Sequence, residues 1–331
     1  MEETTLVLSG GGVKGFLTLG ALSVFDRTGK LRSITRIIGT SVGSLIGLLL
    51  IGGVSPLEIF ETLYTITNLL PPITEATPVG ETSPLDSLRR AWATVGSALG
   101  DWGLLDSRLI TNRVEEMLTR ARTRSDNLFF GMTESPTFAE VFERTNKRLV
   151  IIATNLSKKV SECFSVETTP HLRCMDAARM SSSIPIIFKS LRYHGDFFVD
   201  GAVLNNFPIE YVPPGEKYLG ILIASEVGDE IESFLDYVNR IVSLPMWMEN
   251  ERKARHTGGR LVVVSFPISG VDFSPSVEDR IRMFARGIEA AEALEERREG
   301  SSPSGAGGVP PEIEGIVDHP PSPQCSDAPD A

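Results

Sequence analysis

Short apolar runs alternate with amphipathic segments through the first fifty residues of the chain. Thr5–Leu8 and Thr35–Ile38 are rich in β-branched and aliphatic residues, which favours buried strands. Gly15–Asp26 and Val42–Leu50 carry apolar residues at helical spacing. A strand–helix–strand–helix order predicts right-handed βαβ units, and therefore parallel strands with helices packed on both faces of the sheet.

The same two patterns continue further along the chain. Apolar runs predict three more buried strands, at Leu149–Thr154, Leu219–Ala224 and Leu261–Phe266. Amphipathic spacing predicts three more helices, at Ser107–Arg122, Ser233–Ile241 and Val277–Arg298. The fold class is therefore α/β, with a mostly parallel central sheet.

Two segments interrupt this alternation. Residues 68–103 combine Pro and Gly with scattered apolar residues and are long for a connection, so two interpretations stay open: a lid beside the site, or a surface insertion with one short helix. Residues 300–331 are crowded with Pro, Gly and Ser, contain acidic residues and lack Lys and Arg, which predicts a disordered tail. We expect residues 1–299 to form one folded domain.

The composition excludes some classes of function. The net charge of −11 argues against a nucleic-acid partner and against adsorption to anionic membranes by bulk charge. The longest apolar stretch, Val42–Val54, is too short to span a bilayer, and the first residues lack the basic segment of a secretory signal. The sparse cysteines, Cys163, Cys174 and Cys325, are expected to be free thiols. These features predict a cytoplasmic protein without a transmembrane segment.

Two glycine-rich turns carry the chemical signal. Gly39-Thr40-Ser41-Val42-Gly43 follows a predicted strand and opens a predicted helix, which is the setting of a nucleophile elbow. A bare Gly-x-Ser-x-Gly match arises by chance in roughly one chain in ten of this size and more often marks a small-residue turn. The strand–turn–helix context favours a serine nucleophile. The earlier turn, Ser9–Gly15, contains three consecutive glycines and offers backbone N–H groups to a developing negative charge.

The general base has two candidates. Ser41, Asp200 and His256 follow the chain order of an α/β-hydrolase triad, but only forty residues precede Ser41, and that fold places several strands before its elbow. His256 also lies in a polar run typical of a solvated helix end. Asp200 ends a strand-like run and precedes Gly201, so it is either a simple Asp-Gly turn or a base that burial would make stronger.

Three further features could suggest a different nucleophile, a metal site or a nucleotide site. Ser181, Ser182 and Ser183 are rival nucleophiles, although a tightly packed turn is the favoured interpretation. The Cys and His residues lack metal-ligand spacing. The first glycine turn is not followed by Gly-Lys-Ser/Thr and lacks glycines at positions one, three and six, so neither a P-loop nor a dinucleotide fingerprint is supported.

Taken together, the motifs resemble those of the patatin-like phospholipases. The resemblance rests on three ordered blocks, Gly10–Gly15, Gly39–Gly43 and Asp200–Ala202, and on weaker matches between and after them. Ala202 stands where glycine is commoner in the family, and Ser9 replaces an aspartate that often precedes the glycines. Lys14 occupies a position where the family keeps a basic residue.

The resemblance implies a fold, an activity and a site. The fold would be a three-layer α/β/α sandwich, and Ser41 and Asp200 would form a catalytic dyad with an oxyanion hole at Gly10, Gly11 and Gly12. The substrate would be a phospholipid or another lipid ester at a membrane or micelle surface, and the chemistry would need no metal or other cofactor. A general carboxylesterase or thioesterase, and a non-catalytic lipid- or phosphate-binding module, remain as alternatives.

Overall fold

A computed structural model of the chain describes residues 3–66, 103–224, 231, 234–256, 260–269 and 272–299. The predicted insertion, apart from Gly103, and the predicted tail lie outside these residues. The domain boundary at residue 299 therefore stays a prediction.

The described residues form ten strands and eight α-helices. The strands β1 to β10 are Thr5–Leu8, Arg36–Thr40, Gly103–Leu105, Arg148–Asn155, Val160–Phe164, Ile186–Phe188, Leu191–Tyr193, Asp196–Asp200, Tyr218–Ile223 and Arg260–Val264. The helices α1 to α8 are Gly15–Arg27, Val42–Ile51, Pro56–Leu63, Arg108–Arg122, Phe138–Thr145, Cys174–Ser181, Phe234–His256 and Val277–Glu299.

The central sheet is mostly parallel, as predicted. Its order is β10-β9-β1-β2-β4-β8-β7, with β5 paired to β4. The five strands from β10 to β4 are parallel, whereas β5 and β8 run antiparallel to β4 and β7 runs antiparallel to β8. All the strands predicted from apolar runs belong to the parallel part. A separate pair is formed by β3 and β6.

Side chains alternate between two cores on opposite faces of this sheet. On β1, Leu6 and Leu8 belong to a large core, whereas Val7 between them belongs to a smaller one. Strand β2 divides Ile37 and Ile38 in the same way. Because successive side chains of a strand point to opposite faces, both faces must be covered. Helices α1, α2, α4, α6 and α8 contribute to the large core, and Ala254 of α7 together with the segment 207–212 covers the small one, which gives the three-layer α/β/α sandwich.

Helix α7 differs from its prediction. The amphipathic pattern predicted a helix ending at Ile241, but α7 continues through Pro245 to His256. The polar run near its C-terminus is helical because exposed ion pairs at helical spacing support it, such as Arg255 with Glu251. Lys253, in the middle of this run, is buried rather than solvated.

The cysteines also differ from their prediction. Cys174 is a free thiol and is fully buried, as expected of a small apolar side chain, and this burial raises its pKa well above the usual value. Cys163 is disulfide-bonded, so the expectation of a free thiol is wrong for this residue.

None of the helices in the described ranges is long and apolar enough to cross a membrane.

Candidate active site

The turn between β2 and α2 holds Ser41 in a strained conformation. Ser41 has φ 52° and ψ −127°, an uncommon backbone conformation for a residue with a side chain. Gly43 allows the turn to pack against β1, because a Cβ atom there would lie 2.5 Å from the carbonyl oxygen of Leu8. Such strain is typical of a nucleophile elbow, in which a sharp turn raises the serine hydroxyl above the end of a strand.

The pairing of β4 brings Asp200 to Ser41. Residues Ala153–Asn155 of β4 pair with β5 along one edge and with β8 along the other edge. Ile152 of β4 pairs with β5 along the first edge and with β2 along the other edge. Strands β2 and β8 therefore lie along the same edge of β4. Thr40 pairs with Ile152, and Asp200 pairs with the next residue, Ala153. Because β2 is parallel and β8 antiparallel to β4, the carboxyl ends of β2 and β8 meet head to head.

The meeting of these two strand ends produces a direct Ser–Asp contact. The Ser41 hydroxyl donates a hydrogen bond to Asp200 Oδ2 over 2.6 Å. The other carboxylate oxygen, Oδ1, accepts the Ala202 N–H over 2.8 Å. Ser41 is 4% exposed and Asp200 is 3% exposed. The pair is thus buried and oriented, with the serine proton already directed at the carboxylate.

Burial sets the protonation behaviour of Asp200. Desolvation raises the pKa of Asp200 to about 7, although the hydrogen bonds from Ser41 and from the Ala202 N–H act in the lowering direction. A carboxylate with an ordinary pKa is a weak base at neutral pH, whereas one with a pKa near 7 is matched to proton transfer there. The environment of Asp200 therefore gives it the strength that a general base requires.

Ser181 supports the elbow through two hydrogen bonds of its hydroxyl. Its hydroxyl accepts the Ser41 N–H over 2.8 Å and donates to the Ile152 carbonyl over 2.6 Å. The Ser182 and Ser183 hydroxyls donate to helix α6 carbonyls, of Ala178 and Arg179. All three hydroxyls are engaged in the packed turn that the sequence favoured, and Ser181 fixes the elbow backbone.

The glycine loop, residues 9–15, lies against the elbow. A Cβ atom on Gly10 would lie 3.0 Å from the Ser41 Cβ and 2.6 Å from Asn206 Oδ1, so a larger residue there would have to displace the Asn206 side chain. The Gly10 N–H donates to the Asn206 carbonyl, which removes it from the set of predicted oxyanion donors. The N–H groups of Gly11 and Gly12 have no acceptor within the described residues.

The sequence analysis did not single out the N–H of Val42. This group begins α2 immediately after Ser41, and in the described part of the chain it too lacks an acceptor. The residue after an elbow nucleophile commonly supplies an oxyanion donor, so its position in the motif was a usable signal.

An apolar cavity opens beside Ser41. Its empty space, including the part open to solvent, amounts to about 850 Å³ and lies between α1, α2, α3 and α4. Its walls are almost entirely aliphatic and aromatic side chains, among them Phe16, Leu19, Leu45, Leu49, Ile59 and Val114. Ser41 and Gly12 line it as well, so the hydroxyl and the glycine loop lie on the wall of an apolar chamber. Such a chamber suits a hydrocarbon chain attached to a reacting carbonyl.

No histidine of the described ranges takes part in the Ser41–Asp200 contact. The serine hydroxyl meets the carboxylate directly, which leaves no room for the imidazole of a triad between them. His171 and His194 lie in exposed turns, and His256 ends α7. Lys14, near the end of the glycine loop, is buried.

Comparison with known proteins gives a family match over most of the described core. A family model described as patatin-like phospholipase matches residues 6–213. The match includes both glycine turns and Asp200.

Two viral proteins are similar in sequence. A protein of Invertebrate iridescent virus 6 named "Probable lipid hydrolase 463L" is 37% identical over 206 residues, which cover 62% of this chain and 62% of that protein. The matched part thus spans less than two thirds of this relative. The "Uncharacterized protein R571" of Acanthamoeba polyphaga mimivirus is 26% identical over 303 residues, which cover 86% of this chain and 91% of that protein.

The fold is similar to that of a solved bacterial structure. VipD from Legionella pneumophila superposes with a TM-score of 0.50 and 18% identity, covering 90% of this chain and 67% of VipD. This likeness concerns the fold alone.

Proposed function

The chain belongs to the patatin-like phospholipase family, and from this premise we propose that it is a lipid acyl hydrolase that cleaves fatty-acyl esters with a Ser41–Asp200 dyad. The single observation that carries the proposal is the buried 2.6 Å hydrogen bond from Ser41 Oγ to Asp200 Oδ2 beside an apolar chamber. Family membership supports the reaction class, and the chamber supports a fatty-acyl substrate. The cytoplasmic location and action at a membrane surface stay predictions.

Acylation begins with the Ser41 hydroxyl. Its oxygen attacks the ester carbonyl carbon while its proton passes to Asp200 Oδ2. The carbonyl oxygen becomes an oxyanion, which accepts hydrogen bonds from the N–H groups of Gly11, Gly12 and Val42. Without an imidazole, these donors must supply much of the acceleration, because preorganised N–H groups stabilise the negative charge as it develops.

Two steps complete the cycle after the tetrahedral intermediate has formed: departure of the leaving group and hydrolysis of the acyl–enzyme. The protonated Asp200 returns its proton to the leaving alcohol oxygen, and the acyl group remains on Ser41 Oγ. Water then attacks the acyl carbonyl while Asp200 accepts a water proton, and the fatty acid leaves as the Ser41 hydroxyl is restored. With a phospholipid, the products are a lysophospholipid and a fatty acid.

The test of this proposal is the release of fatty acid from phosphatidylcholine vesicles, followed by mass spectrometry. The parent protein should release fatty acid and lysophospholipid, and Ser41→Ala should release neither. Hydrolysis of short soluble esters without any action on vesicles would favour the carboxylesterase alternative. Absence of hydrolysis of both substrates by folded parent protein would refute the proposal.

The pH profile should report the state of Asp200. Because the base must be ionised and its pKa is about 7, kcat/KM should fall about tenfold for each pH unit below 7 and level off above it. The measurement is kcat/KM on a soluble ester between pH 5 and 9, with protein unfolding monitored at each pH. A flat profile from pH 5 to 8 would contradict the role of Asp200 as the base.

The depth of the chamber should select acyl chain length. Leu49 lines it about two turns, roughly 12 Å, along α2 from Ser41. Leu49→Phe fills that end, so the ratio of kcat/KM for a long-chain ester to that for an acetyl ester should fall about tenfold. Leu50→Phe is the matched control, because Leu50 is adjacent on α2 and is not part of the chamber wall. Equal ratios in the two variants would show that the acyl chain binds elsewhere.

A further inference from the structure

We propose that Lys253 is a positioning residue for the active site. From the opposite layer of the sandwich, it fixes the position of the glycine loop, residues 9–15, relative to the elbow at Ser41. The inference rests on the proposed function, because it concerns the geometry of the same dyad and oxyanion donors. It adds a residue on α7 that lies outside the three motif blocks.

Lys253 is buried, and its ammonium group contacts chiefly one loop, with Glu249 Oε1 of its own helix farther away at 3.7 Å. Its side chain is 5% exposed, although it lies in a run of charged residues near the end of α7. The ammonium group donates to Asn205 Oδ1 over 2.8 Å, to the Phe207 carbonyl over 2.8 Å and to Glu210 Oε2 over 2.9 Å. A buried ammonium is costly unless it is paired and hydrogen-bonded, and this one has three acceptors in the loop of residues 201–210.

The positions of these acceptors give Lys253 its effect on the site. Asn205 and Phe207 flank Asn206, so the ammonium holds the chain on both sides of that residue. The Asn206 carbonyl accepts the Gly10 N–H over 3.2 Å, and Gly10 immediately precedes the proposed oxyanion donors Gly11 and Gly12.

A second contact connects the same loop to the nucleophile. The Thr40 hydroxyl donates to the Asn205 carbonyl over 3.0 Å, and Thr40 immediately precedes Ser41. The start of the loop is held by the Asn205 N–H, which donates to the Gly201 carbonyl over 2.8 Å next to Asp200. One residue of the loop thus contacts the elbow, the next contacts the glycine loop, and Lys253 fixes both.

The expected consequence is a defect in catalysis rather than in substrate binding. The chamber that we assign to the acyl chain lies on the other face of the sheet, and none of the described side chains of α7 lines it. Displacement of the 201–210 loop would misalign the glycine N–H groups with the oxyanion, and a misplacement of about 1 Å can cost about a hundredfold in rate. The KM for substrate should stay nearly constant.

The test compares Lys253→Met with the control Arg255→Met. Arg255 lies two residues away on α7, is 74% exposed and, among the residues that the structure describes, pairs with Glu251 on the same helix, so its loss removes a charge without touching the loop. A third variant, Lys253→Met with Glu210→Gln, removes the charge that Lys253→Met would leave unpaired and so protects folding. The readouts are kcat and KM on a soluble ester, the unfolding temperature, and hydrogen exchange of the peptide containing Gly10.

We expect both Lys253 variants to lower kcat at least tenfold with KM within twofold of the parent, and to speed exchange of the Gly10 peptide at least tenfold. Arg255→Met should match the parent in all readouts. A folded Lys253 variant with parental kcat and exchange overturns the inference, as does failure of both Lys253 variants to fold, since Lys253 would then be a stability residue. If the parent has no esterase activity, the proposed function fails, while the exchange result alone still decides whether Lys253 holds the glycine loop.

Discussion

Ser41→Ala should abolish ester hydrolysis, with kcat reduced about 10⁴-fold or more, because an alanine leaves no atom to form the acyl–enzyme. The fold should survive the change. The hydroxyl lost is a small group, and the elbow backbone keeps the bonds from the Ser41 N–H to Ser181 and from the Ser44 hydroxyl to the residue 41 carbonyl. The measurement is kcat/KM on a chromogenic ester, together with the unfolding temperature.

The matched control for this prediction is Ser23→Ala. Ser23 is on α1, and its hydroxyl donates to the Gly20 carbonyl within its own helix. It should retain parental activity. Activity of a folded Ser41→Ala protein within tenfold of the parent would mean that another group attacks the ester.

Asp200→Asn should lower activity and raise stability at the same time. An amide cannot accept the serine proton, and loss of a general base typically costs about 10²–10⁴ in rate. The amide has nearly the shape of the carboxyl group and can still accept the Ala202 N–H. It carries no charge, so the folded protein no longer has to bury one.

The sign of the stability effect follows from the raised pKa. A carboxyl whose pKa rises from 3.8 unfolded to about 7 folded holds its proton in the native state between these values. Its stabilising contribution is present below pH 3.8 and is lost as the pH rises to about 7. The gain in unfolding free energy of Asp200→Asn over the parent should therefore grow from pH 4 to pH 8, by on the order of 4 kcal/mol.

Asp196 lies on the same strand as Asp200, and we expect Asp196→Asn to change the pH dependence of the unfolding free energy in the opposite direction. Hydrogen bonds from Asn155 and Lys158 lower the pKa of Asp196, so its contribution is present above its unfolded pKa and is lost as the pH falls. Chemical denaturation from pH 4 to pH 8 measures both variants. If the stability difference between Asp200→Asn and the parent did not depend on pH, the claim that burial raises the pKa of Asp200 would be contradicted.

The sequence predicted those parts of the site that depend on local backbone chemistry. Ser41 needs an elbow, and a strand followed by Gly-x-Ser-x-Gly and an apolar helix is visible in the sequence as such a turn. The parallel strands were equally visible, because strands buried on both faces are continuous apolar runs. Asp200 was found as a carboxylate at a strand end next to glycine.

What the sequence could not predict depends on tertiary pairing. The head-to-head meeting of β2 and β8 requires β8 to pair antiparallel with β4 directly beyond the end of β2, and no local pattern specifies that register. The bond from the Gly10 N–H to Asn206 is likewise a contact between distant segments. Lys253 lies among similar charged residues, and only the packing of α7 on the 201–210 loop distinguishes it from Arg255.

The most direct test of the central claim is covalent trapping of the nucleophile. The parent protein is incubated with an alkyl fluorophosphonate at pH 8, and the modified residue is identified by peptide mass spectrometry. We expect one phosphonyl group, carried on Ser41, and no adduct on the Asp200→Asn variant at the same exposure time. A stable adduct on Ser181, Ser182 or any residue other than Ser41 would contradict it.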